Sequence, residues 1–570
     1  MKIRFGKRAI AGTTLGAVAF LQTASVQADD TTAEIRLLKH RMDAQDAEIR
    51  VLKARLKQFD KKSAKHDPQQ KQPRAQVSKV AAPKETTSVA AVSPPPVFVS
   101  FANGLKVESL DHDYSFRIGG ALMVDGGGSS QPETGTAGSA GIRRARLEVE
   151  GKVAKYWLYK LQYDFAAGNT ATVGAIGGIR DAYIALKHPA LSVPFADDPL
   201  MLQIGNSYEP MGLETVTSTN FIDFNERSMA IVAFAPLHHI GVAAGAHGDN
   251  WSAKGGVYTT SPSDKAMSPA AGIPVPLWVS SNAGWVATGG GQYYDIAGRI
   301  TYAPIKEQDR LLHLGLSSRY QRPNDATADS DQRVLALGSN IKTEPGIIGE
   351  NLLGTTDLSC GVVNGVAGKC TKDVLDYGAE LAVVYGPISL QAEYMGAHYD
   401  RKQGSILAAQ VAGVFAPGGT SLDFNGYYAY GTWYLTGESR AESYNVANLN
   451  GATFEQIKIK NPVSAGGPGA WEVGLRFDTL NLNNGPYQGS YYQNLLALAP
   501  TAATHAAVAN AGVIGGRESN MTAGLNWYPE KGFRLMADWT RVVQLSAPWD
   551  RAYLNGAHPN IFIMRAQVNW

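Results

Sequence analysis

The sequence predicts an all-β protein: a transmembrane antiparallel β-barrel of about 16 strands, preceded by a short N-terminal α-helical coiled coil. Three observations predict it. Glycine and aromatics are abundant and charge is sparse, with 61 Gly, 25 Tyr, 44% hydrophobic and 18% charged residues, against roughly 25% charged in an ordinary soluble domain. From residue 115 onward, apolar and polar residues alternate with period two over segments of about 9–12 residues, the length of a strand tilted across a bilayer. The chain then ends on an alternating stretch, Phe562 to Trp570, whose last residue is aromatic. After residue 21 no run of about 18 apolar residues occurs, which excludes a helical membrane protein. Aliphatics and aromatics are too many for a disordered chain.

In chain order, residues 1–28 read as a secretory signal peptide. Lys2, Arg4, Lys7 and Arg8 precede an apolar stretch from Ala9 to Leu21, and the small residues Val26 and Ala28 precede Asp29. Residues 29–60 read as a coiled-coil segment. Ile35, Leu38, Met42, Gln45, Ile49, Leu52, Leu56 and Phe59 take the alternating three- and four-residue spacing of heptad core positions. The residues between them are largely charged, so the apolar stripe is too narrow for a globular core and suits copies of itself. Residues 61–100 are a Pro/Lys/Gln-rich linker that includes Pro94-Pro95-Pro96, extended and unfolded in character. The leader, coil and linker are basic, so the formal net charge of +2 hides an acidic remainder; the near-neutral balance supports no nucleic-acid partner.

Residues 101–570 form the barrel domain. Phe116, Ile118, Leu122 and Val124 alternate with Ser115, Arg117, Met123 and Asp125. The same alternation sets Arg144, Arg146, Glu148 and Glu150 against Ala145, Leu147 and Val149, and Asp295, Ala297 and Arg299 against Tyr294, Ile296 and Ile300. One face is apolar, the other carries full charges of both signs, and aromatics such as Tyr294 and Tyr302 sit at strand ends on the apolar parity. That combination fits lipid outside and water inside better than a buried core. Seventeen segments qualify. A bacterial barrel takes an even number, and 331–339 lacks a clean polar parity, so sixteen is the expected count. Segments 261–290, 340–373, 402–422 and 482–515 read as long loops, whereas Gly386-Pro387 and Pro529-Glu530-Lys531-Gly532 read as periplasmic turns. The only cysteines, Cys360 and Cys370, lie in one long loop and are expected to pair in an oxidising compartment.

Several stretches resemble the phosphate-selective porin (porin O/P) family. They are Arg143-Arg144-Ala145-Arg146-Leu147-Glu148-Val149-Glu150-Gly151, Asp181-Ala182-Tyr183-Ile184, the run from Gly205 to Glu214, and Phe224-Asn225-Glu226-Arg227. The run from Tyr427 to Arg440, Gly474-Leu475-Arg476-Phe477-Asp478, and Gly524 to Pro529 continue it in order. The resemblance implies a 16-stranded trimeric outer-membrane channel for anions such as phosphate or polyphosphate, with an N-terminal periplasmic coil in some members and a constriction lined by basic side chains. Where such members often carry a base, this chain has Tyr208.

Parity assigns the lumen Arg117, Arg144, Arg146, Lys160, Arg299, Arg319, Arg476, Arg534 and Arg565. Against these stand Asp125, Glu148, Glu150, Asp164, Asp295, Asp376, Glu380, Glu393, Glu472, Asp478 and Asp538. Acids outnumber bases, so two readings stay open: paired wall charges, or a local basic cluster at the narrow point. Arg117, Arg144, Arg146 and Lys160 are the candidates for that cluster, because they come from the first three strands and share one wall. Arginine suits the task, since its planar fork engages oxyanions in pairs. No Gly-x-Ser-x-Gly, Walker loop, His-Glu-x-x-His or paired CxxC occurs, so neither an enzyme, a metal centre nor a cofactor is expected; His238, His239 and His247 alone make no catalytic set. The expected partners are two further copies of the chain, outer-membrane lipid and lipopolysaccharide, small anionic solutes, peptidoglycan through the coil, and the barrel assembly machinery through the strand ending at Trp570. The alternative is a non-selective or other small-solute porin that also tethers the envelope through its coil.

Overall fold

The computed structural model describes residues 97–101, 104–130, 138–166, 178–259, 294–322, 370–411, 419–484 and 512–570, with a few more between 352 and 367. The expected signal peptide and coil, the linker up to residue 96, segment 331–339 and Cys360 lie outside the described residues.

Among the described residues, sixteen strands form the barrel: β1 (Ser115–Ser129), β2 (Gly138–Val153), β3 (Trp157–Asp164), β4 (Ile179–Lys187), β5 (Met201–Tyr208), β6 (His238–His247), β7 (Trp251–Tyr258) and β8 (Tyr294–Lys306), followed by β9 (Arg310–Arg322), β10 (Thr371–Tyr385), β11 (Ile388–Arg401), β12 (Ser421–Tyr434), β13 (Ala470–Asn484), β14 (Val513–Tyr528), β15 (Phe533–Ser546) and β16 (Asn560–Asn569). Each pairs antiparallel with the next, and β16 returns to β1 in register from Asn569↔Ala121 to Ile561↔Ser129. The even count expected from parity is the count found.

Side chains alternate as the sequence demands. Along β12 exposed and buried positions follow one another from Ser421 to Tyr434. Val242, Ile300, Leu316, Leu475 and Met564 stand exposed on the outside. Water would not tolerate such a belt, but hydrocarbon does. Trp157, Tyr302, Tyr385, Trp433 and Phe533 are exposed near one end of the barrel, where Trp471 and Trp527 stack with centroids 5.4 Å apart. Their amphipathic rings mark a membrane–water boundary.

At that end most joins are short: 154–156, 248–250, 307–309, 386–387 and 529–532. In transmembrane barrels the short turns face the periplasm. Of the two longer joins at that end, 188–200 and 435–469, the second, between β12 and β13, is by far the longer. At the other end the β5–β6 connection, 209–237, carries two short helices, α1 (Leu213–Val216) and α2 (Met229–Phe234). The 209–237 and 435–469 connections fold inward, and neither is among the long loops read from sequence. Met211, Phe224, Met229, Ile231 and Phe234 of the first pack on inward-facing Met395, Phe424, Tyr428 and Leu480. Ala441 and Phe454 of the second pack with Leu213 on Ala303, Leu311, Ala382 and Val384.

Two details surround the seam. Trp570 exchanges backbone hydrogen bonds with Gly120 at 3.0 and 3.1 Å. A Cβ on Gly120 would sit 2.5 Å from the Arg146 carbonyl oxygen and 2.7 Å from the Trp570 ring, so only glycine admits that closure. Beyond the end of β16, Leu105–Ser109 takes over the edge of β1, pairing Leu105↔Ile118 through Glu108↔Ser115. Val97–Ser100 pairs with it in turn. These four residues fall within the segment read as linker; they are too few to show a period and become a strand because the outer edge of Leu105–Ser109 supplies a partner.

Candidate functional site: a charged wall facing an infolded connection

A connection buried in a barrel must find partners for its backbone N–H and C=O groups. Here the wall charges supply them. At the start of α1, Glu393 on β11 accepts from the backbone N–H of Leu213 (2.8 Å) and Glu214 (2.7 Å). Asp538 on β15 accepts from Asn225 at 2.8 Å, and Asp478 on β13 accepts from Met229, at the start of α2, at 3.1 Å. The arginines serve the carbonyls. Arg534 donates to Ile222 (2.6 Å), Arg565 to Asn225 (2.6 Å) and Arg476 to Glu226 (2.8 Å). Within the connection, Arg227 gathers the carbonyls of Glu214, Thr215 and Thr217, each at 2.9 Å.

The second infolded segment is held the same way. Arg299 on β8 reaches the Ala452 carbonyl at 3.0 Å, and Lys254 on β7 reaches that of Leu449 at 3.0 Å. The two segments also touch each other. Arg440 pairs with Asp223 at 2.9 Å, and the hydroxyls of Thr217 and Thr453 lie 2.8 Å apart.

Strands β1 to β4 are different. Their inward charges face the free side of the 209–237 connection, and the side chains of Arg117, Arg143, Lys160 and Arg180 remain 19–25% exposed. Arg117 bonds Glu148 and, at 2.9 Å, Glu150. Lys160 lies 3.3 Å from Asp181 and 3.5 Å from Glu148. Arg146 donates to Asp164 and to the Thr219 hydroxyl, both at 2.9 Å, while Arg180 stands 3.9 Å from Asp164.

Glu226 is the pivot between wall and connection. Its carboxylate accepts from Arg143 (2.9 and 3.1 Å), Arg144 (3.4 Å) and Arg565 (2.7 Å). Burial would push the Glu226 carboxyl up, but Arg143, Arg144 and Arg565 hold it well below the ordinary carboxylate value. Arg565 also grips Asp125 with two bonds of 2.7 Å.

The structure therefore brings Arg117, Arg144, Arg146 and Lys160 onto one lumenal wall, as parity and hairpin adjacency suggested. Arg299, Arg319, Arg476 and Arg534 also point inward, but they do not line open space. Arg299 is 1% exposed against Glu380, and Arg319 is wedged among Asp295 (2.6 Å), Asp376 (2.9 Å) and Glu209 (3.2 Å). Arg476 and Arg534 are spent on carbonyls and ring faces. These four, expected among the pore-lining bases, lie where the two connections pack against the wall.

Parity also missed four participants in this arc, one of them Asp181 on β4. Arg143 is the unpaired residue where the β1–β2 register shifts between Met123 and Val124, so Arg143 and Arg144 both face inward. Arg180 follows a similar shift between β3 and β4. Glu226 belongs to a connection with no period to read, although the stretch Phe224-Asn225-Glu226-Arg227 was already among those carrying the family resemblance.

The histidines are dispersed: His238 lies 3.4 Å from Asp181, His239 meets Glu209, and His247 is 3.3 Å from Asp198. Glu209, His239 and Asp295 have the closeness of metal ligands, yet Arg319 already pairs with both carboxylates, which suits an ion-pair network. Cys370 is buried and disulfide-bonded; its expected partner, Cys360, lies outside the described residues.

Residues 116–570 match the family Phosphate-selective porin O and P. The chain belongs to this family. It is 26% identical over 451 residues to Porin O of Pseudomonas aeruginosa, covering 78% of this chain and 87% of that one. It is 24% identical over 457 residues to a protein of Caulobacter vibrioides, covering 78% and 72%. Far looser likenesses join it to the solved anion-selective porin of Comamonas acidovorans (11% identity, 80% and 100% covered, TM-score 0.40) and OprB of Pseudomonas putida (11%, 81% and 95%, TM-score 0.44). The protein is an outer-membrane porin, a channel rather than an enzyme.

Proposed function

We propose that this porin passes small anions, with phosphate-sized oxyanions favoured, along the wall of β1 to β4. The observation that carries the reading is the charge of this arc, which is open at Arg117, Arg143, Lys160 and Arg180. Arg117, Arg143, Arg144, Arg146, Lys160 and Arg180 face Glu148, Glu150, Asp164, Asp181 and Glu226, a local excess of base within a lumen whose parity count is acidic. An oxyanion entering there sheds part of its hydration, and fixed guanidinium groups replace it, weakly enough for release. The description of the family as phosphate-selective supports the same solute class.

The test is the reversal potential of the purified protein in a planar bilayer under a KCl gradient, repeated with inorganic phosphate. Anion preference and block of chloride current by phosphate are expected. Replacing Arg144 and Arg146 together by Gln should reduce both, most clearly at low salt where screening is least. Cation preference in the unaltered protein would overturn the reading. The heptads of residues 35–59 support an oligomer with a periplasmic coil, and with the family resemblance a homotrimer; a monomer in unheated gels and in mild detergent would count against it.

A further inference from the structure

Building on the anion-channel reading, we infer that Arg143, Arg144 and Arg565 form an oxyanion-binding site that the chain's own Glu226 fills at rest, so that a permeating phosphate competes with a tethered carboxylate. Three guanidinium groups from two strands, β2 and β16, converge on one carboxylate delivered by a loop. A carboxylate and a phosphate present similar oxygen pairs to an arginine fork. The site opens to the lumen through Arg143 and Glu226, which are 19% and 17% exposed, while Arg565 behind them is fully buried.

The arrangement is unevenly satisfied. Arg565 is shared between Asp125 and Glu226. Among the described residues Arg144 has its only close carboxylate at 3.4 Å, and another of its N–H groups points at the Met123 sulfur at 3.3 Å, a weak acceptor. Counting Asp125, three positive charges meet two negative ones. The residual charge attracts an anion, and the tethered carboxylate keeps the site from holding one tightly. Glu226 is also dispensable for holding its loop: the neighbouring backbone is bonded to Asp538, Asp478 and Arg476 independently of that side chain. Its position thus sets affinity more than fold.

Glu226→Gln in the full-length protein should tighten phosphate block of chloride current by about tenfold at low salt, the scale of one charge-assisted hydrogen bond released to a ligand. Asp198→Asn makes the same charge change on the exposed 188–200 connection, outside both the site and the arc of β1 to β4. It should shift the reversal potential toward anions while leaving phosphate block close to that of the unaltered protein. Equal block in the two variants would overturn the proposal and leave only a general charge effect. If Glu226→Gln fails to reach the membrane as a heat-modifiable barrel, Glu226→Asp keeps the charge but draws it back from Arg143. It should tighten block by a smaller factor, and no change would again overturn the proposal. Should the unaltered protein show neither anion preference nor phosphate block, the anion reading itself fails, whatever the Glu226 variants do.

Discussion

Arg299 and Arg117 occupy the same kind of position, an inward site on a barrel strand with a glutamate partner on another strand of the wall. Their surroundings are opposite. Arg299 and Glu380 are each 1% exposed, closed over by the 435–469 segment. Arg117 is 19% exposed and its partner Glu150 36%, with nothing leaning on them as closely. One arc of the lumen is a dry interior whose charges hold loop backbone in place; the other is a wetted wall whose charges neutralise one another beside open space. What an inward charge does is thus decided by what packs against it and not by its strand parity, which is the same in both cases.

The widest separation between the arcs should appear in stability. Arg299→Ala leaves Glu380 and the Ala452 carbonyl without their partner in a dry site, a loss of about 3–5 kcal/mol. Arg117→Ala should cost about 1 kcal/mol or less. The temperature at which the compact band disappears from gels, or the urea midpoint in detergent, compares them, and equal losses would erase the distinction. A smaller but direct effect follows from replacing Ala441–Lys458 by a tight turn. Single-channel conductance should rise as the β7–β10 wall becomes wet; unchanged conductance would mean that the segment is not what keeps it dry. The subtlest sharpening is Lys160→Gln. It should lower anion preference at ~0.1 M salt and lose that effect near ~1 M, where the Debye length shrinks to about 3 Å. A salt-independent shift would imply that Lys160 shapes the path and does not charge it.

The strands were legible because their signal is local. β8 begins at Tyr294, where the alternation with Asp295, Ala297 and Arg299 begins, and the C-terminal stretch announced itself by parity and a final aromatic. Arg143 was not legible, since one extra residue in β2 turns two neighbours to the same face and nothing in Arg143-Arg144-Ala145-Arg146 says where the bulge falls. The infolded connections escaped for a different reason. α1 and α2 have four and six residues, too few for a helical period, and their anchors are remote in sequence, as with Asn225 on Asp538. The acid count read from parity was sound, but its use as a measure of pore charge was not, because Glu393, Asp478 and Asp538 are committed to backbone N–H groups. Charges that read as a selectivity tally are in large part the scaffolding of a loop.

The bond between Trp570 and Gly120 bears on the order of events during assembly. The partners of the seam stand about 450 residues apart, so this contact has nearly the largest loop-closure cost the chain can present, and such contacts form late. The barrel's last strand in chain order is also the one that seals its first. Until it arrives, β1 and β15 each carry an open edge, the state most prone to pairing with the wrong neighbour. A chain shortened by β16 would keep most of its ladder yet have no way to become a closed cylinder. The glycines opposite Trp570 make that final step a fit of one ring into one gap, a checkpoint on completeness written into the barrel's own geometry.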